Sequence, residues 1–261
     1  MAQRPSISVL TAAGAACLTL ISAPAQAGAW TRDGGETLLI SATALHRLDL
    51  AFDTTLIKHE LSWYLEHGVT DDVTLVGRVA FQNIDGFTFE REEVRQIALR
   101  DFSSSEAAAR VSLMREGRWA LSGQALVTFR GPGENWNNAE FGEGGGDLEA
   151  RLLLGRSVGE TGFIDAGLAH RWRDERVGDE IRFDLAAGAE LLWDTELIVQ
   201  SYAIWSGGPP HEEGHYNHRV QLSILRPLGR RSSVQVGALG TLSAHRMAEE
   251  RAISVSIWRR F

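Results

Sequence analysis

The chain ends Arg251-Ala252-Ile253-Ser254-Val255-Ser256-Ile257-Trp258-Arg259-Arg260-Phe261, and the reading of this stretch decides the fold. Ile253, Val255, Ile257 and Phe261 fall on one side, with Ser254, Ser256, Trp258 and Arg260 on the other. Successive side chains of a strand point to opposite faces, so a period of two predicts a strand. Chain ends fray unless something ties them down. A strand finishing on an aromatic residue therefore needs a partner along its length. Arg259 interrupts the apolar face, although an arginine near a membrane edge can snorkel to the headgroups. An edge strand of a soluble sheet has the same local pattern, so the rest of the chain has to decide.

Upstream, from Gly28 onward, alternation recurs in twelve segments. The clearest is 56–66, where Ile57, His59, Leu61, Trp63 and Leu65 oppose Lys58, Glu60, Ser62, Tyr64 and Glu66. Short turns near residues 69, 117, 158, 193 and 228 alternate with longer connections, among them a glycine-rich loop at 131–146 and an excursion at 83–104 that could fold inward. The face of segment 196–205 is ambiguous, because Leu197, Ile198, Val199 and Ile204 are apolar on both sides. No soluble sandwich requires long and short connections to alternate. A transmembrane antiparallel up-and-down β-barrel of about 12 strands does, with strands of roughly nine to eleven residues crossing the hydrocarbon. The terminal strand resembles the C-terminal strand of bacterial outer-membrane barrels. That resemblance implies two partners, the barrel-insertion machinery and outer-membrane lipid.

The register assigns the charged residues to the inside. Lys58, Arg78, Arg110, Arg130, Arg151, Arg171, Arg182 and Arg219 face inward with Glu60, Glu66, Glu106, Asp147, Glu149, Asp165, Asp184 and Glu190. These charges, eight of each sign, cannot face lipid cheaply, since mid-depth Arg or Lys costs roughly 2–4 kcal/mol. They line either a wet passage for acidic or sugar-like solutes or a paired lattice that plugs the barrel. Outward, Trp63, Trp119 and Phe261 fall at the short-turn ends, and Phe129, Trp172 and Trp205 at the long-loop ends, as two membrane girdles do.

Residues 1–27 read as a cleaved signal peptide: Arg4, an apolar run, then Ala25-Gln26-Ala27 before Gly28. The only cysteine, Cys17, lies inside it, and Gly14 stands where a lipoprotein signal needs a Leu-like residue. The remainder, 28–261, is one barrel domain. The net charge of −8, with Lys58 the sole lysine, holds no basic-aromatic cluster for nucleic acid. His211-Glu212-Glu213-Gly214-His215 matches a zinc-protease pattern, but Pro209, Pro210 and Gly214 deny it the helix that the chemistry needs, so no metal and no cofactor is expected. Gly142 to Gly146 lacks the following helix and lysine of a phosphate cradle. His46, His170 and His245 are rim candidates for a barrel enzyme acting on lipid or sugar, yet no spacing singles out a triad. The expectation is a protein without catalytic residues.

Gly28-Ala29-Trp30-Thr31, the stretches 64–75 and 146–155, and the ending Trp258-Arg259-Arg260-Phe261 together resemble the XagA-like family of proteobacterial outer-membrane proteins. The resemblance implies a Gram-negative outer-membrane barrel and a link to exopolysaccharide or biofilm, with polysaccharide as a partner. It carries over no catalytic residues. The expected function is channel or porin-like, with a plugged structural or adhesive barrel as the alternative.

Overall fold

The computed structural model describes residues 28–50, 54–90, 93–103, 105–129, 146–173, 178–191, 193–207 and 214–261. Its strands are β1 (Thr37–Asp49), β2 (Thr55–Thr70), β3 (Val73–Glu90), β4 (Glu93–Phe102), β5 (Ser105–Glu116), β6 (Trp119–Phe129) and β7 (Gly146–Val158). They continue as β8 (Gly162–Trp172), β9 (Glu180–Glu190), β10 (Glu196–Ser206), β11 (His215–Pro227), β12 (Ser232–His245) and β13 (Glu249–Arg260). All of them except β4 form one closed antiparallel barrel of twelve strands, in which β1 pairs with both β2 and β13. The terminal strand is tied down as its pattern demands: Phe261 N donates to Thr37 O at 2.9 Å. A closed barrel leaves no edge, and every spanning backbone group finds a partner within the wall.

The outer face is apolar and open. Leu61, Val79, Leu152 and Val255, which a two-sheet sandwich would bury together, are 42%, 41%, 50% and 45% exposed. The sandwich is thereby excluded.

The wall departs from expectation at 83–104. This stretch is no inward excursion: β3 continues to Glu90 and pairs with β4 from Phe81↔Phe102 to Glu90↔Glu93. Below that hairpin β3 pairs with β5 instead, from Arg78↔Glu106 to Val73↔Val111. Ser103 N bonds to Ala80 O at 2.9 Å where the chain passes from β4 to β5, which keeps the two collinear along β3. The hairpin extends the wall past the loop-end rim. Several strands also outrun nine to eleven residues, β2 reaching 16 and β3 reaching 18.

The turns follow their chemistry. Gly117 and Gly159 take positive φ in the tight turns after β5 and β7. Trp193 and Asp194, at φ 59° and 56°, take the left-handed region in the tight connection from β9 to β10, which Leu191 N closes by donating to Thr195 O at 2.6 Å. The loops at 130–145 and 208–213, which contain Arg130 and most of the zinc-protease-like motif, lie outside the described residues, as does 1–27.

Candidate functional site

Pleating sends every second residue of each strand into the lumen, which is where the ions are. Lys58, Arg78, Arg110, Arg171, Arg219, Glu60, Glu149 and Asp165 are buried on the inner face, with Arg151, Arg182, Glu106 and Asp184 half-buried beside them. Glu190 is exposed at the turn end of β9. Trp63, Trp119, Phe129, Trp172, Trp205 and Phe261 are all exposed on the outer face. Trp63 lies midway along β2, because that strand runs four residues beyond Glu66 to Thr70.

The inner ions form three clusters. On β7 to β9, Glu149 accepts from Arg151 Nε at 2.9 Å and Arg171 Nη2 at 2.8 Å, with Arg182 Nε at 3.9 Å. Arg151 also reaches Asp184, and Arg171 reaches Glu106 at 3.5 Å. Glu180 joins this group through Arg182 at 2.8 Å, Arg173, and His215 at 3.7 Å. The second cluster lines β1, β2 and β3 and extends to β11 and β13. Glu60 pairs with Arg78 at 3.0 Å and Lys58 at 3.4 Å, while Glu250 bridges His46 Nδ1 and Arg219 Nη1, each at 2.6 Å. In the third, toward the turn end, Glu66 gathers Arg32 at 2.7 Å, Arg110 at 3.2 Å and the Tyr64 hydroxyl at 2.7 Å.

Sequence reasoning missed Glu180, Glu250, Arg173 and Arg32, each of which completes one of these clusters. Glu180 and Glu250 sit two positions before inward Arg182 and Ala252, so extending the period by one step finds both. The three candidate enzyme histidines are not brought together. His46 is no rim residue but a buried lumen side chain on Glu250; His170 faces outward beside Asp179 at 3.2 Å; His245 is exposed at the end of β12.

Apolar side chains fill much of the remaining lumen. Leu48, Leu56, Ile84 and Ala248 cluster at the loop end. Leu38, Ile40, Tyr64, Ile198, Leu225 and Trp258 pack inside the turn end, which resolves β10: Ile198 and Ile204 point inward, Leu197 and Val199 outward.

The segment before β1 also enters the barrel, which its sequence did not announce. The Ser122 hydroxyl donates to Ala29 O and Arg110 Nη1 to Trp30 O at 3.3 Å. Arg115 Nη2 donates to the Thr31 hydroxyl at 2.6 Å. Gly155 makes room: a Cβ there would lie 2.6 Å from the Trp30 ring and 2.5 Å from Asp165 Oδ1. This strap occupies the turn end of the lumen.

Between strap and ion clusters lies a cavity of about 460 Å³, running from Ser157 to Phe163 at the turn-end rim up to Arg171, Arg182 and Arg219. Arg78, Arg110 and Arg151 also line it. So do Gln200 and Tyr202, whose side-chain amide and hydroxyl find no hydrogen bond of good geometry among the described residues. Buried polar groups seek partners, so the wall favours contents that can both donate and accept.

No family model and no curated protein matches the chain. Solved barrels do. The COG4313 outer membrane channel from Pseudomonas putida F1 has a TM-score of 0.73 at 12% identity, over 91% of this chain and 99% of that one. The NanC porin has 0.55 at 7% identity, over 84% and 98%. The transport unit of the autotransporter AIDA-I from Escherichia coli has 0.56 at 12% identity, over 87% and 90%. At such identities the likeness is one of fold. A closed twelve-stranded barrel of this kind, apolar outside and charged within, is a protein of the bacterial outer membrane.

Proposed function

We propose that the protein is a narrow outer-membrane channel for small acidic or hydroxyl-rich solutes, with its N-terminal strap constricting the turn end. The supporting observation is the cavity itself, walled by Arg78, Arg110, Arg151, Arg171, Arg182 and Arg219. Fixed guanidiniums in a low-dielectric wall attract anions and fork onto carboxylates or paired hydroxyls. The Gln200 amide and Tyr202 hydroxyl offer further polar contacts at the same wall. In this reading the other partners are outer-membrane lipid around the apolar belt and the insertion machinery at β13.

Purified protein in planar bilayers is expected to give small, anion-preferring current steps. Replacing Arg78 and Arg151 by Gln is expected to lower that preference. Absence of current, with no change in the variants, would leave a packed barrel. That second reading draws on the ion clusters, in which Glu149 alone engages three guanidiniums and is 1% exposed. Such a barrel would serve as a structural or adhesive element.

The wider role we propose is a link to surface polysaccharide, resting on the stretches that resemble the XagA-like family. A strain lacking the protein is expected to retain less exopolysaccharide at its surface; unchanged retention would remove this link and leave the channel reading standing.

A further inference from the structure

We propose that the chain is cut between Ala27 and Gly28 and that the new α-ammonium of Gly28 is held inside the barrel by Asp165, locking the strap in place. Asp165 is an inward carboxylate on β8, 8% exposed, with no ion pair to another described residue; the Arg110 guanidinium acts on it only from beyond ion-pair distance. Its hydrogen bond is a long one, from Ala29 N at 3.4 Å. A buried carboxylate without a cation is costly, and a nearby positive charge offsets that cost.

Gly28 stands where such a charge is wanted. It lines the cavity, and the position of a Cβ on it is 3.6 Å from Asp165 Oδ2. Its neighbours hold it there: Ala29 is 1% exposed, its carbonyl accepts from Ser122, and the next carbonyl accepts from Arg110. While residue 27 is attached, the nitrogen of Gly28 is an uncharged amide. Hydrolysis by a signal peptidase adds one water across that bond. Ala27 leaves as a carboxylate, and Gly28 keeps the nitrogen as an ammonium. The small-x-small sequence Ala25-Gln26-Ala27 supplies the recognition for this cut. Processing thus creates a cation in reach of Asp165, whether or not the lumen conducts.

The test uses protein extracted from outer membranes. Its intact mass is expected to match a chain beginning at Gly28. The folded protein is then treated at neutral pH with an amine-acylating reagent and the labelled N-terminal peptide is quantified. An ammonium paired with Asp165 loses its proton less readily and is enclosed, so wild type is expected to label more slowly than Asp165→Asn by about threefold or more. A second variant carries one Ser inserted between Ala27 and Gly28, which moves the amine by about 3.5 Å and leaves Asp165 intact. It is expected to label as fast as Asp165→Asn, and it decides the matter if that substitution prevents folding. A mature chain starting elsewhere, or wild-type labelling within threefold of the insertion variant, overturns the proposal.

Discussion

The two faces of β7 meet opposite surroundings. Outward, Leu148, Leu152 and Leu154 are 51%, 50% and 41% exposed; inward, Asp147 and Glu149 on either side of Leu148 are 2% and 1% exposed. A water-soluble sheet reverses this arrangement. The difference lies in how much each face has to specify. The lipid face has only to be apolar, and any side chain that suits hydrocarbon suits that wall. The inner face has to satisfy each ion individually, so its residues depend on one another across strands. Substitutions inside should therefore be costly in proportion to the partners they abandon, and those outside in proportion to depth in the bilayer.

The largest effect is expected at Glu149→Gln. Removing one member of a buried ion cluster costs on the order of 3–5 kcal/mol, because the remaining charges stay behind without compensation. Here Arg151, Arg171 and Arg182 would share that fate, although Asp184 and Glu180 retain part of the balance. Urea unfolding in phospholipid vesicles, followed by tryptophan fluorescence, measures the loss. A change below about 1 kcal/mol, the range of exposed pairs, would mean that water screens the lumen and that the cluster is wet.

Next in size is Leu152→Arg at mid-strand on the outer face. An arginine at the bilayer midplane costs roughly 2–4 kcal/mol, whereas Leu152→Ile should stay within about 1.5 kcal/mol because lipid repacks around either shape. The same unfolding assay reads both. Equal tolerance of Arg and Ile at this position would contradict a lipid-facing wall.

Gly155→Ala tests the inner face where it is packed rather than charged. The added methyl meets the Trp30 ring and Asp165 Oδ1 well inside contact distance, at 2.6 and 2.5 Å. Overpacking of this kind costs about 1–3 kcal/mol if the strap stays. If the strap yields instead, stability falls less and the turn end opens, which planar-bilayer conductance would report as a larger current step.

What could be read in advance follows the same division. The barrel and the facing of its ions were legible because the bilayer imposes a period of two on every spanning segment. The register of Ile57 to Leu65 against Lys58 to Glu66 is seen in β2 residue for residue. Above the rim that rule lapses. Asn83 and Asp85 point outward and Ile84 inward, so the apolar signal inverts and the β3–β4 hairpin read as a loop. The strap was illegible for a different reason. Gly28 to Gly35 has no period at all, and its place is set by non-local partners such as Ser122, Arg110 and Arg115. A trace of it does exist: Gly155 interrupts the inward side of β7, and an inward glycine in a strand marks a close approach.

The smallest effect is expected at Arg259→Ala, the position that broke the apolar pattern of the final strand. Arg259 faces outward on β13, two residues from the chain end, with its guanidinium 5.7 Å from the centre of the Phe261 ring. Arg156, likewise outward and near the turn end, lies 4.9 Å from the Trp119 ring. Both cations rest on aromatic rings near the turn-end rim, where arginine costs roughly 0–1 kcal/mol and an exposed cation–π contact returns about 0.5–1 kcal/mol. The two terms nearly cancel, so Arg259→Ala should shift unfolding by less than about 0.5 kcal/mol, the range of an ordinary surface change. The same residue type then costs several kcal/mol at Leu152 and almost nothing at 259. If Arg259→Ala instead stabilised the barrel by as much as Leu152→Arg destabilised it, Arg259 would lie in the hydrocarbon. The turn-end rim would then have to be redrawn beyond Phe261.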